Sequence, residues 1–521
     1  MRRLAARHDA LRTTVTAVDG QLVQHVTDGA ELPLRTEDLG ALPAEEHAEA
    51  VERLLTEELQ RPYDLARGPL TRVLLVRLAA EEHLLLLAQH HIVTDGWSVG
   101  VLTRDLAALY RAEATGEPDE LPAPALQYPD FAHWEQHRRT DHAADLAYWK
   151  RVLADLPTLR LPTDRPRPAE RTTRGAAHRH HLPAELVERL RHLAAGRGTT
   201  AFTLYAGASA LLLARHSGQR DVALGTVVNG RERRELEEVA GFFVNTVVLR
   251  GDVDERATVD GFVEGMRTTL LDAFAHAGAP FDRVVEELAP PRDPSRTPLV
   301  QVVVVQQAPA APAPAAGLRF TDHPLPRPAA RFDLVLEFTP EEAGGCTLTV
   351  EYNTDLFDRR TVAALADRLH RLLAGMADGP RRTLAELPLI PAEEQRALLA
   401  ARPARPALPA AVTRPGWTRA HVLDGALRPQ PDGVPGELYL AGGLPPQPGE
   451  DAGRFVADPY GGPGERLYRT GGLARWTADG ALECLGRAEE WAKPRHRDET
   501  DPAEVAEALR RCAGVAEAAA V

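Results

Sequence analysis

Lysine and cysteine are nearly missing from this chain. Lysine occurs only at Lys150 and Lys493, so almost all of the 61 basic side chains are arginine. Three cysteines, Cys346, Cys484 and Cys512, cannot build a disulfide framework or a cysteine-rich zinc site. No apolar run approaches the roughly 18 residues that a spanning helix needs, so no membrane segment is expected. The start, MRRLAARHDALRTTV, carries positive charge but no apolar stretch. It is not a signal peptide, and a cytoplasmic protein is expected. Neither GxGxxG nor GxxxxGK(S/T) occurs, which removes the common phosphate-cradling loops. Basic charge is also in deficit: 75 acidic residues against 61 basic ones give −14. A non-specific nucleic-acid binder needs the opposite balance.

What is present is globular. Hydrophobic residues make up 44% and charged residues 26% of 521 positions. That length predicts two to four domains, and 42 prolines with 40 glycines should punctuate them well. Periodicity predicts amphipathic helices over 45–60 and 98–114 and short apolar strands over 71–77 and 83–89. Residues 119–135 read as a loop, followed by a helix through Tyr148, Trp149 and Lys150. The polar, proline-rich stretch 159–174 reads as a crossing loop. Beyond it come strands at 176–182, 221–228, 243–250, 299–306 and 345–352, and helices at 184–195, 200–216 and 360–376. The pattern predicts an α/β fold of two halves split near residue 170. From 400 to 430 alanine, proline and arginine dominate, which reads as a linker. A strand resumes at 436–441, and a helix is expected at 503–512.

The sharpest local feature is HHIVTDG, from His90 to Gly96. It closes an apolar strand and precedes a helix. Neighbouring residues on a strand face opposite ways, so only one of His90 and His91 should be presented to a cavity. Asp95 offers a carboxylate, and Gly96 permits a tight turn. A strand-end histidine beside a fixed carboxylate suits acid–base chemistry near neutral pH. The bland alternative is that these residues merely close the strand. A zinc site is the other rival, but His83, His90 and His91 lack HExxH spacing. No serine or cysteine elbow is evident and GxSxG is read as absent, so a serine hydrolase is set aside.

HHIVTDGWSVGVLTRDLAALY resembles the HHxxxDG signature of condensation domains from nonribosomal peptide synthetases. Five further segments, in the family's order, carry the resemblance: RHDALRTTV (7–15), YPDFAHWEQ (128–136) followed by YWK (148–150), GFFVNTVVLR (241–250), HAGAPFDRVVEEL (276–288) and RTPLVQVVVV (296–305). Together they cover about residues 1–385. The resemblance implies two lobes, each similar to chloramphenicol acetyltransferase, in a V-shaped pseudo-dimer around a tunnel. The expected limits are 1–165 for the first lobe and 166–385 for the second. The second histidine of the signature, His91, is the implied catalytic residue. His90, Asp95, Gly96, Arg231 and Asn245 are implied to support it, with Arg231 as the ion-pair partner of Asp95. Trp97 and Tyr128 occupy motif positions with structural roles. The family also carries a first strand, an SxxQxRLW motif and a helix ahead of RHDALRT. The sequence given starts too close to that motif to hold them, so the first lobe is expected to lack them and to leave an open sheet edge.

The last ninety residues resemble something else. GVPGELYLAGG (433–443), RFVADPYGGPGERLYRTGGLARW (454–476) and LECLGRAEEWAKPR (482–495) are similar to late motifs of adenylation domains. The resemblance is to a damaged copy. The Thr-Ser-Gly-rich phosphate loop is absent, and most of the nucleotide-binding subdomain is missing between 400 and 430. Gly472 stands where the family has the ribose-binding Asp, and the pattern after Lys493 is replaced by PRHRDET. The chain ends at Val521, ahead of the family's final lysine. The expected layout is therefore a linker and deletion scar at 386–430 and a small α+β remnant at 431–521, without adenylation activity.

The function implied is amide-bond formation between a carrier-bound acyl or peptidyl thioester and a carrier-bound aminoacyl acceptor. An acyl transfer to a hydroxyl acceptor and a catalytically decayed scaffold are the alternatives. Donor and acceptor carrier proteins and other synthetase modules are the expected partners, with no nucleic acid and no membrane. No metal and no bound cofactor are implied. The phosphopantetheine comes with the carriers, since no LGGxS carrier motif occurs in the sequence.

Overall fold

The computed structural model describes residues 1–29, 32–137, 142–307, 315–401, 419–442, 452–477 and 480–487. The helix expected at 503–512, together with Lys493 and Cys512, lies outside these residues.

The N-terminal part begins with the helix Arg2–Arg7 and the hairpin of strands Thr13–Val18 and Gln21–Val26. A three-stranded sheet follows. Leu34–Asp38 runs parallel to Thr71–Ala79, which is antiparallel to Glu82–Gln89. Parallel neighbours need a crossover, and the helix Ala44–Gln60 supplies it. Its Val51, Leu54 and Leu55 pack on Leu74, Val76, Leu84 and Leu86 of the sheet. Leu84, Leu86 and Ala88 alternate inward along the last strand, so its apolar face is set by period two. That strand delivers the chain to His90.

The second sheet is larger. Its six strands lie in the order Gly175–Leu182, Cys346–Asn353, Leu334–Pro340, Val302–Gln306, Asp221–Val228 and Asn245–Asp252. Val302–Gln306 pairs parallel with both neighbours, and the other pairings are antiparallel. Helices Ala184–Ala195, Ala201–Ser217, Val259–Ala275 and Arg359–Asp378 contribute apolar faces to one continuous core with this sheet. Ala201–Ser217 is buried along nearly its whole length. Its alanines and leucines leave no polar face, which is the composition of a core helix. Tyr205 of this helix stacks on Phe338 of the sheet at 4.1 Å.

Several expectations need correction. Residues 128–137 form a helix, not the end of a loop. Pro129 falls in its first turn, where a missing N–H costs nothing. The strand Leu334–Pro340 and the helices Val259–Ala275 and Phe281–Leu288 were not foreseen. The division at 165/166 is also displaced. Tyr148, Trp149, Leu153 and Leu159 belong to the core of the six-stranded sheet, and Trp149 donates its indole N–H to His276 O at 2.9 Å. At the other end Leu387, Leu389 and Ile390 are buried in that same core, so 386–390 is not linker. The span 386–430 further contains the helix Ala392–Ala401 and the strand Arg419–Leu423. That strand pairs with Gly436–Ala441, which pairs in turn with Arg466–Trp476. Phe455–Ala457 and Leu482–Arg487 complete a five-stranded terminal sheet.

Candidate active site

The strand Glu82–Gln89 stops one residue before the first histidine. His90 then caps a one-turn helix, His91–Val93, by accepting the Ile92 N–H on Nδ1 at 3.1 Å. Its ring meets Tyr63 edge-on. The expectation that the two histidines divide between strand faces is therefore replaced by a turn in which each has its own local anchor. His83 sits across from Arg77 at the far end of the strand, away from His90.

His91 is held by its other atoms. Nδ1 lies 2.6 Å from the Thr94 carbonyl oxygen. A carbonyl only accepts, so Nδ1 carries the hydrogen and Nε2 keeps its lone pair. The Phe242 ring packs against the imidazole edge-on, with centroids 4.9 Å apart. Burial pushes the imidazolium pKa down, and the Arg331 guanidinium pushes the same way. The Thr94 carbonyl and the Asp95 charge oppose them without reversing the direction. The ring is neutral near pH 7, with Nε2 available as a base.

Asp95 faces elsewhere. It is the N-cap of the helix Gly96–Thr115, and Oδ1 accepts from the Ser98 N–H at 2.9 Å. The Ser98 hydroxyl donates to the same oxygen at 2.7 Å. Arg231 donates from Nη1 to Oδ2 at 2.6 Å and from Nη2 to Oδ1 at 3.1 Å. The Phe243 N–H completes the set on Oδ2 at 3.1 Å. Asp95 is 2% exposed and Arg231 8%. Burial alone would raise the Asp95 carboxyl, but the Arg231 and Ser98 hydrogen bonds hold it below its ordinary value. Arg231 also donates to Val239 O and lies over the Phe243 ring at 4.1 Å. The pair thus ties the start of the helix to the loop that follows strand Asp221–Val228.

The remaining motif residues are anchors. Asn245 donates from Nδ2 to Ala277 O and Ala279 O and accepts the Phe281 N–H, which closes the 277–281 loop on the strand start. The Trp97 indole donates to Glu237 O, and the Tyr128 hydroxyl donates to Phe242 O. A Cβ on Gly241 would come within 2.2 Å of the Tyr128 ring, so only glycine fits there. Ser98 escaped the sequence reading, although Gly96, Ser98 and Gly100 spell GxSxG. The side chain is fully buried and spends its hydroxyl on Asp95, Gly241 and Arg231. It sits inside a helix N-terminus, not on a strand-to-helix elbow, and has no nucleophile's geometry. Among the described residues no three His, Cys, Asp or Glu side chains gather as a metal site.

The model of the condensation domain family matches residues 1–399. The chain belongs to that family. Among its relatives, phosphinothricin tripeptide synthetase PhsC of Streptomyces viridochromogenes is 41% identical over 401 residues, covering 76% of this chain and 37% of that protein. Chondramide synthase cmdD of Chondromyces crocatus is 37% identical over 396 residues, 75% of this chain and 10% of that one. The chain thus spans only a minor part of the synthetases it matches. Among solved structures, the X-domain from teicoplanin biosynthesis superposes with a TM-score of 0.66 at 30% identity, covering 75% of this chain and 88% of that one. A four-domain nonribosomal peptide synthetase bound to AMP and glycine gives a TM-score of 0.69 at 24% identity, over 78% of this chain and 32% of that chain. The fold is that of a condensation domain from multi-module synthetases. No helix among the described residues is long and apolar enough to cross a membrane.

Proposed function

We propose that the chain joins two carrier-bound substrates by an amide bond, with His91 as the base. The observation that carries this reading is the fixed tautomer of His91, which leaves a neutral Nε2 with a free lone pair. Phosphopantetheine arms of a donor and an acceptor carrier meet at His91 in a tunnel between the lobes. The acceptor amine attacks the donor thioester carbonyl, and a C–N bond forms. The amine proton passes to Nε2. The tetrahedral oxyanion collapses, the C–S bond breaks, and the thiolate takes the proton. The Gly96 N–H, an orphan donor at the first position of the helix, is the proposed donor to that oxyanion. Asp95, Arg231 and Asn245 hold the frame. The test is a reconstitution with acylated donor and aminoacylated acceptor carriers, read by the mass gained on the acceptor. No acyl transfer to the acceptor would overturn the reading. A hydroxyl acceptor would use the same base, and a hydroxyacyl carrier in the same assay separates ester from amide.

The pH profile follows from the same histidine. The reactive form is unprotonated, and its pKa lies below the ordinary histidine value. With the acceptor already bound as its free amine, the His91 limb of kcat therefore falls with a midpoint below about 6.5. A midpoint above 7 in single-turnover assays would contradict a neutral resting His91.

A second reading has one observation behind it. The X-domain of teicoplanin biosynthesis, 31% identical to this chain, is solved in complex with OxyB. On that reading the chain is a scaffold that recruits another enzyme, and its turnover with every carrier pair is zero.

The terminal sheet, from Arg419 to Arg487, is proposed as the remnant of an adenylation domain. Its motif strands are Gly436–Ala441 and Arg466–Trp476, and Gly472 lies within the second. With no phosphate-binding loop in the sequence and no carboxylate at 472, ATP has neither a phosphate cradle nor a ribose acceptor. Amino-acid-dependent ATP–pyrophosphate exchange is expected to stay at the no-enzyme blank, and Gly472→Asp is not expected to raise it. Exchange above the blank would show a working adenylation site.

A further inference from the structure

Gly96 opens a 20-residue α-helix, and its φ is not among the left-handed ones. Nothing in the backbone therefore demands glycine, and alanine is the better helix former. The reason for glycine lies on the other sheet. A Cβ at Gly96 would come 3.1 Å from Oε1 of Gln307, with the Gln307 Cδ and Nε2 both at 3.9 Å. Gln307 follows the strand Val302–Gln306 and extends its pairing by donating its N–H to Phe338 O at 2.9 Å. Its amide lies within 3.5 Å of Glu337 Oε2. Glu337 is in turn gripped by Arg327, from Nη2 at 2.6 Å and from Nη1 at 3.1 Å, and Arg327 Nη1 stands 3.5 Å from Glu351. A bidentate guanidinium fixes a carboxylate in plane as well as in distance.

We propose that Gln307 is a positioning residue, a clasp from the six-stranded sheet that holds the His91–Gly96 turn in its reactive geometry. Thr94 and Asp95 restrain that turn from the histidine's own loop and from Arg231. Gln307 restrains it from the end of the strand between Leu334–Pro340 and Asp221–Val228, through its closeness to Gly96. Gly96 is glycine to let the clasp close. The inference rests on His91 as the base, because a turn without a reacting group would have nothing to aim.

The test is a double-mutant cycle on the full chain, with Gln307→Ala, Gly96→Ala and the two combined. Each single change is expected to lower kcat by about tenfold, with KM within about twofold, since misplacing a reacting group costs rate more than binding. The combined variant is expected to be no slower than the worse single one, because both changes remove the same contact. Melting temperatures are expected to stay close to the parent. Gln307→Met keeps the bulk beside Gly96 but drops the polar contact to Glu337, and it serves if the alanine variant fails to fold; it too is expected to lose kcat. Losses that multiply in the double variant, or an unchanged kcat in Gln307→Ala or Gln307→Met, would overturn the clasp while His91→Ala remains inactive. A fully active His91→Ala would instead bring down the base, and the clasp with it.

Discussion

His91→Ala is expected to lower the proposed amide formation by about 10²–10⁴-fold and to leave the fold intact. The size follows from what the side chain supplies. An ammonium acceptor is unreactive, and a neutral amine that attacks must shed a proton as the C–N bond forms. Nε2 is the group placed to take it, because Nδ1 is committed to Thr94 O. The stability cost is small by comparison. The ring is only half-buried, and its one hydrogen bond to a backbone carbonyl contributes about 1 kcal/mol. His91→Gln sharpens the test. Its amide can still donate to a carbonyl, but it cannot accept a full proton. It should keep the melting temperature and lose the rate as the alanine does. Steady-state turnover beside thermal melts reads both. A His91→Ala protein within about fivefold of the parent would show that the histidine only shapes the cavity, since positioning without proton transfer falls at the low end of such effects.

The site was more legible than the fold around it. HHIVTDG stood out because two histidines, an aspartate and a glycine interrupt an apolar strand, and the family resemblance extended the reading to Arg231 and Asn245. Ser98, Phe242 and Phe243 were not read as site residues. They act through a hydroxyl, a ring edge and a backbone N–H, and such roles leave little signature in residue type. Gln307 was invisible for a different reason. Its partner Gly96 is over two hundred positions away, and only the tertiary fold brings them together. Long, strongly patterned elements such as 45–60 and 184–195 were read within a residue or two of their observed ends. The division between halves was misread at both ends. Proline-rich composition marks a crossing loop well, but it does not say which core the flanking residues join. Trp149 and Leu389 are buried by the later sheet in spite of the loops beside them. The strand Arg419–Leu423 was lost in an alanine- and proline-rich background, because five residues give too short a pattern to outweigh composition.

Asp95→Ala is expected to unfold the domain more than it slows the chemistry. The carboxylate accepts five hydrogen bonds: two from Arg231, two from Ser98 and one from the Phe243 N–H. Its removal leaves a guanidinium buried with its charge uncompensated, and breaking such a pair costs on the order of 3–5 kcal/mol. For a domain of this size that is a fall in melting temperature of about 4–6 °C. Asp95→Asn keeps the shape but turns an acceptor edge into a donor facing Arg231, so it should recover only part of the loss. The same pair sets a pH dependence of stability. The folded carboxyl pKa lies below that of the unfolded chain. Its contribution is therefore complete above about pH 4 and is lost as pH falls through the lower folded value. In Asp95→Ala that acid-side loss is absent, and the melting curves of parent and variant converge at low pH. Arg231→Ala should lose comparable stability from the other side. Combining the two should cost less than the sum of the single changes, because the double variant buries no lone charge. If Asp95→Ala melts with the parent at pH 7, the pair does not hold the helix start to the 229–243 loop. Asp95 would then have to be sought in the chemistry, through a rate loss at unchanged stability.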